Sequence, residues 1–199
     1  MPSAAILAGG RASRFGGRDK GALIVNGRTI LDRQLSALDG LADLIDDLLI
    51  VGAPRPVGSR DCRFVSDRLA GRGPLGGLEA ALSSARHEHV LLLACDMPFL
   101  TGPFLRFLLE MPPDVDVSVP RTERGYHPLC AVYSRRCLAA VTRRLNEDRL
   151  KLSGLLDEVR VRVVEQDGIE QFGRSGRLLA NVNTPAELDD LEALLGHEV

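Results

Sequence analysis

The sequence predicts an α/β domain with a mainly parallel sheet and helices on both faces of that sheet. Two patterns indicate this class: short apolar segments alternate with segments of helical spacing along the 199 residues, and most of the short segments are apolar throughout. Strands buried on both faces are typical of parallel sheets. A hydrophobic content of 45% and a charged content of 26% are ordinary for a globular protein, and the length suits one domain, residues 1–199.

The predicted strands are short apolar segments with few breaks. Buried strands of this kind are expected to alternate with helices in a parallel sheet. The seven predicted strands are Ser3–Leu7, Leu48–Val51, Arg63–Val65, Val90–Ala94, Val115–Val119, Pro128–Tyr133 and Val159–Val164.

The predicted helices are recognised by apolar spacing and by their starts. Gly40 weakens the helical pattern of the first of them. Pro74 suits the first position of a helix, and Thr184-Pro185-Ala186-Glu187 is a capping box that opens the last helix. The five predicted helices are Thr29–Ile45, Pro74 to about His87, Pro103–Glu110, Arg135–Asn146 and the helix that opens at Thr184.

A glycine-rich, cationic loop follows the first predicted strand. Gly9 and Gly10 come first, and glycine lets a backbone approach a ligand and turn its N–H groups toward it. Such N–H groups, clustered after a strand, form a concave site for anions. The loop also holds four cations, Arg11, Arg14, Arg18 and Lys20. This combination predicts the binding of a polyphosphate.

Other motifs fit this loop less well. A P-loop needs Ser or Thr after Gly-Lys, whereas here Asp19 precedes Lys20 and Gly21 follows it. The dinucleotide fingerprint G-x-G-x-x-G runs directly into a helix, whereas Gly9 and Gly10 are adjacent. A nucleic-acid patch would be a denser basic run. An ordinary flexible surface loop remains the alternative.

An aspartate comes directly after the predicted strand Val90–Ala94, in Cys95-Asp96-Met97-Pro98. Because the carboxyl ends of parallel strands share one edge of a sheet, we expect Asp96 near the glycine-rich loop. A polyphosphate binds together with Mg²⁺, which typically uses one or two carboxylates. Asp96 is therefore the candidate magnesium ligand. The alternative is that Asp96 only caps the turn before Pro98.

Three further segments carry polar residues that suit a ligand. Asp67 follows the strand Arg63–Val65 and suits a ribose hydroxyl or a base, or a simple turn. Histidine in water titrates in the range that suits acid–base catalysis, but a lone histidine such as His127 is interpreted as a hydrogen-bonding or packing residue. Asn181 and Asn183 alternate at a predicted strand end and share one face, which suits a polar heterocycle and equally suits turn capping.

The bulk properties exclude several classes of function. A formal net charge of −2 does not indicate a general nucleic-acid binder, and no apolar run reaches membrane-spanning length. The four cysteines lack C-x-x-C spacing and are expected to be reduced thiols of a cytoplasmic protein. No Ser-His-Asp triad or metalloprotease helix can be assembled. Transfer to an anionic phosphate needs neither, because positioning and charge neutralisation supply most of the catalysis.

The motifs together resemble those of molybdenum cofactor guanylyltransferases. The first motif is L-A-G-G-x-x-x-R-x-G-G-x-D-K-G, from Leu7 to Gly21, and the last is Asn181-Val182-Asn183-Thr184-Pro185. The matches span nearly the whole chain in the order expected of the family. Between the two lie Asn26-Gly27, Asp67 in D-x-L-A-G, Gly73-Pro74-Leu75, Cys95-Asp96-Met97-Pro98 and His127-Pro128.

The resemblance implies a Rossmann-like nucleotidyltransferase fold and a reaction. GMP would pass from GTP to molybdopterin, with molybdenum bound or not, giving the guanine dinucleotide cofactor and pyrophosphate. Mg²⁺ would be the cofactor, and transient contacts with other cofactor-synthesis or recipient proteins are expected. Related cytidylyltransferases typically have L-A-A-G in the first motif, so Gly9 favours guanine.

The resemblance also assigns roles by position. Lys20 would bind phosphate and Asp96 would bind Mg²⁺, which makes them the catalytic candidates. The N-terminal part would bind the nucleotide, with Leu7, Ala8 and Gly9 acting through backbone atoms, and the C-terminal part would bind the acceptor. Lys151 belongs to a stretch that resembles a basic segment of the family, or it is a solvated cation. The candidates for nucleotide binding are Leu7, Ala8, Gly9, Gly10, Arg14, Lys20, Gly52, Asp67 and Asp96, and those for acceptor binding are His127, Lys151, Asn181 and Asn183.

The chain departs from the family pattern at four positions, Phe15, Gly52, Gly76 and Tyr126. Some family members have Asn in place of Gly52, so a side-chain contact to the nucleotide is lost or replaced by backbone. Three alternatives stay open: a nucleotidyltransferase that uses CTP or a sugar-phosphate acceptor, a non-catalytic nucleotide-binding module, and an NAD(P) oxidoreductase. The pairing of Lys20 with Asp96 favours an enzyme, and the missing G-x-G-x-x-G argues against the oxidoreductase.

Overall fold

The computed structural model describes residues 1–8, 20–58, 60–66 and 71–182, without the side chain of Lys20. The strands are β1 (Ser3–Leu7), β2 (Ile24–Val25), β3 (Arg28–Thr29), β4 (Asp47–Val51), β5 (Arg63–Val65), β6 (His89–Ala94), β7 (Val117–Thr122), β8 (Gly125–Tyr126), β9 (Cys130–Ser134) and β10 (Val161–Val164). The α-helices are α1 (Ile30–Asp39), α2 (Gly73–Ser84), α3 (Gly102–Leu109), α4 (Leu138–Asn146), α5 (Gln166–Glu170) and α6 (Ser175–Leu178).

The main sheet is mostly parallel, which confirms the predicted class. Its strand order is β10-β7-β9-β6-β1-β4-β5, and β8 pairs with the end of β7. Strands β5, β4, β1 and β6 run parallel to one another, and β10 runs parallel to β7. Strand β9 is antiparallel to both β6 and β7. The carboxyl ends of all the parallel strands therefore lie at one edge of the sheet.

Helices cover both faces of the sheet, and each face has its own apolar core. Ile6 of β1 belongs to the core under α1 and α3, together with Leu35 and Phe104. Leu7, the next residue of the strand, belongs to the core under α2 and α4, together with Leu78 and Val141. Because successive strand residues point to opposite faces, β1 separates the two cores.

Several predicted boundaries are wrong, for physical reasons. The first predicted helix, Thr29–Ile45, ends at Asp39, because Gly40 closes it and the next residues form turns. Leu41 still reaches the core from those turns, so the apolar spacing continues beyond the helix. The predicted strand Pro128–Tyr133 begins only at Cys130, since proline has no N–H to give to a sheet.

Other predicted elements are shifted or differ in type. Residues 135–137, expected as the start of an α-helix, form a 3₁₀ turn before α4. The strands expected at Val115–Val119 and Val159–Val164 are Val117–Thr122 and Val161–Val164. The helix predicted from Thr184 lies outside the described residues.

A small hairpin between the first loop and α1 was not predicted. Strands β2 and β3 pair antiparallel around Asn26 and Gly27, whose φ angles are +48° and +73°. Asn-Gly is a strong signal for a two-residue hairpin turn, because both positions need positive φ. Val25 of this hairpin packs with Ile30 and Val182 in a third, smaller apolar cluster.

A buried carboxylate joins several elements at the opposite, amino edge of the sheet. Asp47, at the start of β4, accepts hydrogen bonds from the Ser3 hydroxyl at 2.7 Å and the Arg86 N–H at 2.9 Å. Arg63 donates to its other oxygen through Nε at 2.9 Å and Nη2 at 2.6 Å. Burial alone would raise the pKa of Asp47, but these donors outweigh burial and hold the pKa below its usual range.

Across the described ranges, the helices are too short or too polar to cross a membrane.

Candidate active site

Four neighbouring parallel strands end at the same level of the sheet. In their register Leu7 lies opposite both Val51 and Ala94, and Val51 lies opposite Val65. The chain therefore leaves the sheet at four adjacent points, through Ala8, Gly52, Ser66 and Cys95. Ligands of open α/β sheets bind at this edge. The register brings the start of the glycine-rich loop next to the turn that holds Asp96.

The backbone of Ala8 is held on both sides. Its N–H donates to the Val51 carbonyl at 2.9 Å, and its carbonyl accepts from Nη2 of Arg55. The carbonyl of Leu7 accepts from the N–H of Cys95 at 3.2 Å. Because the N–H of Ala8 is already bonded within the sheet, a nucleotide would contact the remaining lone pairs on the carbonyl oxygens of Leu7 and Ala8. Arg55 also places a guanidinium at the start of the glycine-rich loop.

Gly52 follows β4 at the same edge and has a backbone conformation that favours glycine. Its N–H donates to the Val65 carbonyl at 2.9 Å, and its φ is +135°. Residues with a Cβ rarely adopt this conformation, and the left-handed region that asparagine tolerates lies at smaller φ. An asparagine at position 52 would be strained here. Any contact that this position makes with a ligand comes from its backbone.

The start of α2 faces this edge as well. Helix α2 follows β5 and begins at Gly73, whose φ is +61°, with Pro74 in its first turn. No side chain of the described residues caps it, so its first N–H groups and its dipole favour an anion. A Cβ added to Gly77 would lie 3.0 Å from Cδ2 of Leu7. Glycine there lets α2 pack directly on the last residue of β1.

Asp96 lies in a turn that is fixed from two directions. The buried amide of Gln34 donates through Nε2 to the carbonyls of Ala94 at 2.6 Å and Met97 at 3.2 Å. The carbonyl of Asp96 accepts from the N–H of Val182 at 2.8 Å. The side chain of Asp96 is half-buried, with Oδ1 shielded from solvent. A carboxylate in such a fixed turn is positioned before any ligand arrives.

The donor set at this edge fits Mg²⁺ better than a metal that needs a full protein cage. Within the described ranges, no three His, Cys, Asp or Glu side chains lie close enough together to hold a metal. Mg²⁺ is usually bound through one or two carboxylates together with substrate phosphates and water. Asp96, in the turn next to the start of the glycine-rich loop, would offer one such carboxylate.

His127 lies at the same edge but in a closed environment. Its ring atom Nε2 is 2.9 Å from Oγ1 of Thr122. Its backbone N–H donates to the Pro120 carbonyl at 2.9 Å. Burial, assisted by the charge of Arg124, lowers the pKa of His127. The imidazole is therefore neutral at pH 7. It would give an acceptor substrate a hydrogen bond rather than a positive charge. Two residues later, the Leu129 carbonyl accepts from the N–H of Ala94.

The remaining acceptor candidates differ in their placement. Asn181 is exposed and adjoins Val182, the residue bonded to Asp96. Residues 180–182 do not form the strand that the sequence predicted, and their described link to this edge is that single hydrogen bond. Lys151 is exposed and precedes the 3₁₀ turn Leu152–Asp157. The ion pair of Arg72 with Asp148 joins that region to the start of α2.

Several candidates lie outside the described residues: Gly9, Gly10, Arg14, Asp67, Asn183 and the side chain of Lys20. Sequence reasoning also missed two residues of the site. Gln34 could have been identified, since it is a polar residue among the apolar positions of α1, and a buried polar side chain needs a hydrogen-bond partner. Nothing in the sequence marks Arg55, between Pro54 and Pro56, beyond its position after β4.

Comparison with known proteins decides the family. A family profile described as "MobA-like NTP transferase domain" matches residues 4–163. The chain belongs to the MobA-like NTP transferase family. A relative from Desulfosudis oleivorans, "Molybdenum cofactor guanylyltransferase", is 35% identical over 96% of this chain and 94% of its own. Another from Pelotomaculum thermopropionicum, "Probable molybdenum cofactor guanylyltransferase", is 35% identical over 92% and 88%. The chain is thus a nucleotidyltransferase.

Solved structures show the same fold at lower sequence identity. The molybdopterin-guanine dinucleotide biosynthesis protein A of Archaeoglobus fulgidus superposes with a TM-score of 0.79 and 21% identity, over 98% of both chains. The 2-C-methyl-D-erythritol 4-phosphate cytidylyltransferase of Thermus thermophilus superposes with a TM-score of 0.69 and 20% identity, over 96% and 97%. Both confirm the Rossmann-like nucleotidyltransferase fold of this member of the MobA-like family.

Proposed function

We propose that this chain transfers GMP from GTP to molybdopterin, with Mg²⁺, and releases pyrophosphate and the guanine dinucleotide cofactor. The observation that carries the proposal is the register that places the start of the glycine-rich loop beside Asp96, since Leu7 lies opposite Ala94. A nucleotidyltransferase needs a phosphate-binding loop and a metal carboxylate next to each other. The names of the relatives that are 35% identical over most of the chain supply the substrates.

In the proposed reaction an oxygen of the acceptor phosphate attacks the α-phosphorus of GTP. A new phosphorus–oxygen bond forms, the bond between the α-phosphorus and the bridging oxygen of the β-phosphate breaks, and pyrophosphate leaves with that electron pair. The attacking oxygen is already anionic, so no strong base is needed, and positioning and charge neutralisation supply the catalysis. Such a reaction fits a site whose histidine, His127, is neutral.

The chain's own residues divide the work. The N-terminus of α2 and Arg55 favour anionic groups at the nucleotide side, and Lys20 is proposed to bind the leaving phosphates. Asp96 would hold Mg²⁺, which neutralises phosphate charge when bound. Gln34 and Val182 keep the Asp96 turn in place. Asn181 and Lys151, both exposed, are proposed to meet the acceptor.

Binding of the four nucleoside triphosphates tests the nucleotide part of this proposal. We expect GTP with Mg²⁺ to raise the melting temperature more than ATP, CTP or UTP, because a ligand that binds only the folded state stabilises it by mass action. At 100 times the dissociation constant the gain is about 2.7 kcal/mol. Equal shifts from all four nucleotides would leave only a phosphate site, and a larger shift with CTP would indicate cytidylyl transfer.

A further inference from the structure

A buried arginine lies next to the turn that follows α4. Arg144, in the last part of α4, is 3% exposed, whereas the preceding residue, Arg143, is exposed. Burying a cation is costly unless its partners are in place, because the charge loses its hydration. The contacts of Arg144 therefore indicate which part of the chain depends on it.

The guanidinium of Arg144 binds the backbone on the far side of that turn. Nη2 donates to the Lys151 carbonyl at 3.0 Å, and Nη1 donates to the Gly154 carbonyl at 3.0 Å. Nη1 also donates to Oε1 of Glu158 at 2.6 Å. Hydrogen bonds from Arg143, then from Arg144, lower the pKa of Glu158 to about 2, so this carboxylate is ionised at neutral pH. One buried guanidinium thus joins α4 to the 3₁₀ turn.

The backbone of Arg144 shapes the near side of the same turn, residues 147–151. The Arg144 carbonyl accepts from the N–H of Arg149 at 2.9 Å, and the Leu145 carbonyl accepts from the N–H of Asp148 at 3.3 Å. Asp148 has a φ of +57°. These bonds form a Schellman motif, in which a residue in the left-handed region reverses the chain at the end of a helix. Arg144 therefore contacts the 147–151 turn from both sides.

Glycine at position 154 leaves space for this guanidinium. A Cβ added to Gly154 would lie 2.5 Å from Nη2 of Arg144 and 3.2 Å from its Cζ. The guanidinium is bonded to two carbonyls and a carboxylate, so it could not move away without losing some of those bonds. Alanine at position 154 would thus displace Arg144 from the Lys151 carbonyl.

Stability does not by itself account for an arginine at this position. Nε of Arg144 is buried and has no acceptor among the residues that the structure describes. An unsatisfied buried donor lowers stability, and a buried ion pair is often no more stable than apolar side chains of similar volume. The planar fork of arginine instead fixes the distance and direction of the groups that it binds. We therefore interpret Arg144 as a residue that sets the geometry of the turn.

The 147–151 turn lies beside the nucleotide edge. Asp148 forms an ion pair with Arg72, the residue before α2, and Gly77 of α2 packs on the last residue of β1. Lys151, at the end of the turn, is exposed. In the proposed reaction the acceptor phosphate must reach the α-phosphorus of the nucleotide, so a residue that binds it must lie beside this edge.

We propose that Arg144 is a positioning residue for the acceptor: it fixes the 147–151 turn so that Lys151 binds the phosphate of the acceptor next to the nucleotide. Arg144 acts through the backbone of the turn and does not touch the substrate. The inference rests on the proposed function, because it takes molybdopterin as the acceptor.

Equilibrium binding of molybdopterin, measured without turnover, tests this proposal. The variant Arg144→Lys keeps the charge but loses the planar fork. The control Arg143→Lys changes the neighbouring arginine, whose described side-chain bond is to Glu158 at 2.7 Å. We expect the dissociation constant for molybdopterin to rise at least about tenfold in Arg144→Lys only, and that for GTP with Mg²⁺ to stay within about twofold in both variants.

A double-mutant cycle with Lys151→Ala shows whether Arg144 acts through Lys151. We expect Lys151→Ala to weaken molybdopterin binding in the parent protein and to have little further effect in Arg144→Lys, because changes along one chain of contacts are not additive. A purely structural role of Arg144 would lower the melting temperature without this pattern. Unchanged molybdopterin affinity in Arg144→Lys, or independent effects of the two substitutions, would overturn the proposal.

A second variant keeps the test decisive if Arg144→Lys does not fold. Gly154→Ala retains Arg144 but displaces its guanidinium, and Gly176→Ala is the control, since a Cβ at position 176 meets no atom within 4 Å. We expect weaker molybdopterin binding in Gly154→Ala only. Equal molybdopterin affinity in the two alanine variants would overturn the proposal.

Failure of the proposed function would give a different result. A parent protein that does not bind molybdopterin would overturn the proposed function and, with it, the role of Arg144 toward the acceptor. A parent protein that binds molybdopterin no better than its Arg144→Lys variant would overturn the positioning role and leave the proposed function in place.

Discussion

Replacing Asp96 with asparagine is expected to lower kcat for nucleotidyl transfer by at least about 100-fold, while the fold is retained. A single group that stabilises developing charge in a protected site is commonly worth that much. The asparagine has nearly the same shape, and the backbone bond from Val182 to the carbonyl of residue 96 is independent of the side chain. The free energy of unfolding should therefore change by no more than about 1 kcal/mol.

The magnesium dependence of the rate distinguishes a metal ligand from a turn residue. We expect Asp96→Asn to need a higher Mg²⁺ concentration for half-maximal activity. Asp46→Asn, an exposed carboxylate at the other edge of the sheet, should match the parent protein. A variant at position 96 with near-normal kcat and unchanged magnesium dependence would show that Asp96 only shapes the turn.

Replacing Asp47 with asparagine is expected to lower the free energy of unfolding by about 3 kcal/mol. The change removes a carboxylate that is 2% exposed and leaves the Arg86 N–H and the Ser3 hydroxyl facing an amide. Removing one partner of a buried ion pair costs about 3–5 kcal/mol, and asparagine keeps part of the hydrogen bonding. Denaturant unfolding of both proteins measures the difference.

The pH dependence of that difference follows from the lowered pKa of Asp47. A carboxylate whose pKa is lower in the folded state stabilises the protein above its unfolded value of about 3.9, and the stabilisation is lost as the pH falls through the folded value. The gap between parent and Asp47→Asn should be constant at neutral pH and shrink below about pH 4. Asp46→Asn, which removes an exposed pair with His87, should cost less than about 1 kcal/mol. Equal costs at positions 46 and 47 would contradict this account.

Much of the fold could be predicted because its central strands are short and apolar throughout. Ser3–Leu7 and Arg63–Val65 were predicted with the observed bounds. The antiparallel direction of β9 could not be predicted, since apolar spacing contains no information about strand direction. The end of α1 was predicted wrongly because Leu41 is buried whether it belongs to a helix or to a turn.

The candidate site was predictable to the extent that strand ends converge. Once β1 and β6 are neighbours, Leu7 and Asp96 must lie at one edge. The contacts that fix that edge could not be predicted, because Gln34 lies 60 and 63 positions along the chain from the two residues whose carbonyls it binds.

The most direct measurement is mass spectrometry of the product formed from purified protein, Mg²⁺, molybdopterin and an equimolar mixture of GTP, CTP and ATP. We expect a guanine dinucleotide of molybdopterin and one pyrophosphate for each GTP consumed, with little cytosine or adenine product. A predominant cytosine dinucleotide, or GTP consumed with molybdopterin left unchanged, would contradict it.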